Sequence, residues 1–105
     1  MIKELLKAAG IFGCESRCPD PPAETYAIFF DEVTADGPDG LNWIYTHNGT
    51  VELYEPVRDD DTEAKFEAVL NDASIRWDKQ SRYWLQSVQR YQVIYEFTII
   101  EKRRP

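Results

Sequence analysis

The chain has 105 residues, 43% hydrophobic and 13% aromatic, with nineteen acids against twelve bases and a formal net charge of −7 at neutral pH. That length fits one domain over residues 1–105 with a single core, and the apolar content excludes intrinsic disorder for most of it. No apolar run of about 18 residues offers a helical membrane span, and the amino terminus lacks the apolar core of a signal peptide, so cytoplasmic synthesis is expected.

The charge is unevenly placed. Met1 to Ser74 carries sixteen acids and five bases, Ile75 to Pro105 three acids and seven bases, for nets of −11 and +4. Opposite charge on two surfaces of one subunit lets copies meet head to tail, aiding encounter and register more than raw affinity.

In chain order, Ile2, Leu5, Leu6 and Ala9 have the i, i+3, i+4, i+7 spacing of a short amphipathic helix, with Gly10 where a helix end takes positive φ. The stretch Cys18-Pro19-Asp20-Pro21-Pro22 that follows cannot form regular structure. A disulfide between Cys14 and Cys18 would close so short a loop that it adds little. A zinc site lacks ligands, because His47 is the only histidine. Thr25 to Val33 reads as a strand with Tyr26, Ile28 and Phe30 on one face and Ala27 and Phe29 on the other, which predicts cover on both sides. Ala35 to Gly40 is dense in turn formers and predicts a loop. A second strand region runs from Asn42 to Glu55, with an interruption or bulge expected near Asn48-Gly49, and pairs antiparallel with the first.

The acidic run Asp59-Asp60-Asp61 is read as the N-cap and first turn of a helix, with Asp60 and Glu63 at capping-box spacing. Phe66, Val69, Leu70 and Ala73 give that helix its apolar stripe, ending near Asn71 or Asp72. Ile75, Trp77 and Lys79 alternate as a short third strand, while Ser81 to Arg90 fits either strand or a helical turn. Tyr91 to Ile100 is the clearest strand, and Lys102 to Pro105 is a basic tail expected to fray. The order predicts an α+β fold: an antiparallel sheet of about four strands with two helices packed on one face.

Chemistry-bearing motifs are sparse. His47 is expected to be a partly exposed sheet histidine, and neither thiol has a second candidate partner. Gly37 and Gly40 flank Pro38-Asp39 with no lysine after them, so no phosphate loop exists. The expectation is a non-enzyme with no cofactor and no metal. Arg76, Arg82 and Arg90 interleave with Trp77, Tyr83, Trp84 and Tyr91, a mixture that suits base stacking or protein contact. A sequence pI of about 4.6 repels a polyanion, which favours a protein interface over nucleic acid. In that interface Arg76, Arg82 or Arg90 would face acids of a neighbouring copy, Asp36, Asp39 and Asp59 to Asp61 among them.

With Tyr26-Ala-Ile-Phe-Phe-Asp, Ala35-Asp-Gly, His47-Asn-Gly-Thr-Val-Glu-Leu-Tyr-Glu and Tyr91-Gln-Val-Ile-Tyr-Glu-Phe in view, the chain resembles small proteins from the morphogenesis modules of tailed phages and prophages. It looks most like the tail completion or tail terminator group, over most of its length. The resemblance implies a structural protein that forms a ring, commonly a hexamer, caps the tail tube and meets the head connector. It implies a place in the virion, and in the host bacterial cytoplasm during assembly; composition and charge already lead to the expectation of no nucleic-acid or membrane partner. It carries over no catalytic residues, and Cys14 and Cys18 depart from it. The alternatives are a head–tail connector or other neck component, and a small phage protein that binds a host factor.

Overall fold

The structure is a computed structural model and describes residues 1–37 and 43–103. In order, its elements are α1 (Ile2–Ala8), β1 (Phe12–Glu15), β2 (Tyr26–Asp36), β3 (Ile44–Glu55), α2 (Asp60–Asp72), β4 (Trp77–Lys79), β5 (Tyr83–Leu85) and β6 (Arg90–Lys102). The architecture is α+β, but the sheet has six strands instead of about four, in the order β1-β2-β3-β6-β4 with β5 also on the outer edge of β6. β1 runs parallel to β2, and every other pairing is antiparallel.

The two additional strands are short pieces whose patterns are too brief to show a period. β1 has four residues just ahead of the proline-rich segment, and β5 has three in the ambiguous Ser81 to Arg90 stretch. β4 and β5 are two halves of one outer strand. From the pair Lys79↔Tyr95 to the pair Tyr83↔Gln92 the outer strand advances four residues and β6 only three, so one extra residue bulges between them.

No bulge occurs at Asn48-Gly49. Register runs unbroken from Tyr26↔Tyr54 to Asp36↔Ile44 and from Ile44↔Lys102 to Glu55↔Tyr91. Gly49 serves packing instead: a Cβ there would lie 2.7 Å from the Phe97 ring and 2.9 Å from the Ile2 side chain. The loop expected from Ala35 is also shorter at its start, because ladder pairing carries β2 to Asp36. Asp39 and Gly40 lie outside the described residues. Lys102, expected to fray, closes β6 as the partner of Ile44.

Both helices pack on one face of the sheet. The odd-numbered side chains Ala27, Phe29, Val51, Leu53, Val93, Tyr95 and Phe97 meet Ile2 and Leu6 of α1 and Phe66 and Leu70 of α2 in the core. The Phe66 ring stands edge-on to Tyr95 at 5.2 Å. α2 starts one residue earlier than the capping-box spacing proposed. Asp59 is its N-cap, accepting from the Thr62 N–H at 3.1 Å and from the Thr25 hydroxyl at 2.6 Å. Glu63 is thereby left to point inward.

The helices cover only part of the strands. Ile2, at the start of α1, reaches the level of Gly49 and Phe97. Beyond it β2, β3 and β6 continue for five residues each, Glu32–Asp36, Ile44–Asn48 and Thr98–Lys102, as a three-stranded ribbon with no described helix over it. The described residues accordingly span 50 × 27 × 22 Å.

Candidate functional site

The face of the sheet opposite the helices has no described helix over it and is largely bare among the described residues. A row of residues crosses five strands on this face, Phe12, Tyr26, Tyr54 and Gln92 at even positions and Tyr83 at an odd one because the bulge reverses the parity of β5. Cover on both sides of β2 was expected, yet Phe12 and Phe30 are exposed on this face, as are Tyr83 and Ile100. Only the end near Tyr26 and Tyr54 is closed. These two rings stack 5.2 Å apart, and the Tyr54 hydroxyl donates to Glu52 and accepts from Gln92. Burial and the Glu52 carboxylate push the Tyr54 phenol up to about 12. Arg90 projects from the same face and donates to the Ala23 carbonyl at 3.3 Å. That bond straps the segment before β2 across the end of β3.

At mid-height this face holds a polar concavity of about 390 Å³, lined by Glu32, Asn48, Arg76, Asp78, Glu96 and Thr98 among others. Gln80 donates to Glu96 at 2.6 Å, and no group of metal-ligand type gathers among the described residues.

The residues expected to form one aromatic and arginine-rich surface are distributed over the molecule. Trp77 points to the helix side, stands edge-on to Tyr95 at 5.7 Å and donates to Asn71 at 2.9 Å. Trp84 packs edge-on against Tyr91 at 4.9 Å on that same side, beside Tyr83 on the bare side. Arg76 precedes β4, and Asp36 sits at the tip of the ribbon. Arg82 is not free for a neighbour, since its guanidinium bonds Glu55, Asp60 and Glu63 of its own chain. Arg90 is held by Ala23 and by the Gln89 carbonyl.

Arg82 leads to a feature the sequence did not announce. Glu55 and Glu63 are 0% and 2% exposed, side by side under the bulge between β4 and β5. Lys79 bonds Glu63 at 2.8 Å and Glu67 at 2.7 Å, while Glu55 Oε2 accepts from no described donor. Burial, then the neighbouring Glu63 carboxylate, pushes the Glu55 carboxyl up to about 8. Burial also acts to raise Glu63, but bonds from Glu55, Lys79 and Arg82 outweigh it and hold that carboxyl below its ordinary range. A proton held on Glu55 would give its orphan oxygen the Glu63 carboxylate as an acceptor. This arrangement pins α2 to the split outer strand. Its flank is a concavity of about 310 Å³ lined by charged groups of both elements.

His47 differs from expectation too. It is 6% exposed, with Nδ1 2.9 Å from Asp31 and Nε2 3.2 Å from Glu101. Both ring nitrogens are thus engaged by carboxylates of the same chain. Cys14 and Cys18 are joined by a disulfide, so neither sulfur is a free nucleophile. Compared with known proteins, the chain matches no family model and no curated protein.

Proposed function

We propose that this chain is a structural virion-assembly protein of tailed phages or prophages, one that terminates the tail tube or joins tail to head, working as a homo-oligomeric ring. The observation that carries this reading is the bare face of the sheet together with the ribbon beyond the helices. A folded monomer gains nothing from leaving Phe12, Phe30, Tyr83 and Ile100 in water, whereas an assembly subunit covers them with its neighbours. The sequence resemblance supplies the class of assembly. The charge split supports contacts between unlike surfaces of successive copies, with the exposed Arg76 and Tyr83 of one copy meeting the acids of the ribbon and α2 of the next.

Light scattering at low and high salt, with and without purified tail tubes, tests the reading. Rings or tube-bound copies that weaken with salt are expected. A monomer that ignores tubes at every salt concentration would sink it. Virions lacking the protein separate the two roles: abnormally long tails mark a terminator, and tailless heads mark a connector. A host-factor binder would instead bring down a host enzyme and no virion protein from infected cells.

A further inference from the structure

The ribbon has two open edges. On β6 the pairing with β4 stops at Phe97, and no described strand lies beside Thr98 to Lys102. On β2 the pairing with β1 stops at Phe29, leaving Phe30 to Asp36 equally open. Such edges present unmade backbone hydrogen bonds and act as templates for another strand.

Backbone direction along β6 is fixed by two bonds. Gln80 N–H donates to the Ile94 carbonyl at 2.9 Å, so Ile94 faces the outer side; Arg103 N–H donates to the Trp43 carbonyl at 2.7 Å, so Arg103 faces β3. Alternation then turns the N–H and C=O of Thr98, Ile100 and Lys102 outward. On β2 the Ser16 N–H donates to the Phe29 carbonyl, which turns Asp31, Val33 and Ala35 outward.

We infer that the β6 edge of the ribbon pairs with the same edge of a second copy, antiparallel and centred on Ile100. Geometry weighs against the other modes in turn. Parallel addition fails because the incoming strand continues into the space held by β1 or β4. Antiparallel pairing of β2 with β6 of another copy is heterologous and closes only where successive copies rotate into a ring, whereas self-pairing of one edge closes at two copies. Self-pairing of β2 closes, but it brings Asp31, Glu32 and Asp36 of both copies into one ladder with no base among them. Self-pairing of β6 sets Thr98 opposite Lys102, Ile99 opposite Glu101 and Ile100 opposite itself, with no like charges facing. Ile100, 63% exposed, lies on the two-fold axis, and all of the outward groups of Thr98, Ile100 and Lys102 find partners. The result is a continuous six-stranded ribbon with the two bodies pointing apart. The inference stands on the open edge and goes beyond the tail-tube reading; a second copy alone satisfies it.

Sedimentation of the purified chain up to about 1 mM tests it, the high limit reflecting so small an interface. A monomer–dimer equilibrium is expected. Ile100→Pro removes an outward N–H that β3 does not use and should weaken the dimer tenfold or more, while Val33→Pro, its counterpart on β2, should leave it unchanged. Ile100→Lys sets two ammonium groups face to face without altering the backbone, and the same loss is expected should the proline variant fold poorly. A wild-type monomer throughout, dimers that survive Ile100→Lys, or loss in Val33→Pro would each overturn the proposal. Species that grow past the dimer and are lost in both proline variants would assign the mixed β2–β6 pairing instead.

Discussion

At one end of β2, β3 and β6 the odd-numbered side chains are Ala27, Phe29, Val51, Leu53, Val93 and Tyr95, sealed beneath two helices. At the other end the same positions hold Val33, His47, Ile99 and Glu101, with no described helix above them. The ladder is continuous through both. Apolar burial holds the first region, while the second rests on backbone pairing, the Asp31–His47–Glu101 contact and the stacking of Arg103 over Tyr45 at 4.1 Å. One set of strands thus serves as the floor of a core and as an uncovered extension, and the switch comes at Ile2, where α1 begins.

The comparison can be broken most forcefully on the covered side. Phe66→Ala removes a fully buried ring from between Tyr95 and Phe97 and should cost about 3–5 kcal/mol in urea denaturation. Arg82→Met should follow at about 2–3 kcal/mol, less than for a wholly buried pair because the Arg82 side chain is 21% exposed. It leaves Glu55 and Glu63 without their shared cation, and a loss of self-association at unchanged stability would return Arg82 to the interface.

Glu55→Gln sharpens the picture through pH. The native Glu55 carboxyl keeps its proton up to about 8, against 4.5 for the ordinary value. Between those limits the unfolded chain binds fewer protons than the native one, so this group's contribution to stability falls as pH rises. Glutamine mimics the protonated form, and a stability–pH curve for the variant should lose that decline. Glu63 acts in the opposite sense: its contribution is present above the ordinary carboxyl range and is lost on acidification below it. The smallest effect belongs to the ribbon. Val33→Thr, at a half-exposed site, should move stability by no more than about 0.5 kcal/mol, and a larger loss would mean that something covers the ribbon.

Period-two and helical patterns made the long elements legible, from the stripe of α1 to the alternation of β6. They did not separate the covered from the bare stretch of β2, because Phe29 and Phe30 look alike in sequence and differ only in which side the helices occupy. Gly49 read as a bulge, since a glycine needed for close approach of Phe97 looks the same as one needed for a turn. The buried acids were hidden for a related reason. Glu55 closes a strand and Glu63 sits in a first turn, both ordinary places for solvated carboxylates, and only the bulged outer strand brings Arg82 and Lys79 over them. A strand ending on a charged residue next to proline, with lysine and arginine three apart downstream, was the available hint.

β3 is paired on both sides from Ile44 to Tyr54, with β2 on one flank and β6 on the other. Mechanically it is the beam of the molecule. A load applied at the tip, near Ile44, is resisted in shear by hydrogen bonds on both flanks and delivered to the packed residues around Val51 and Leu53. Its amides should therefore exchange with deuterium more slowly than those of the flanking strands at the same height, even where no helix lies above.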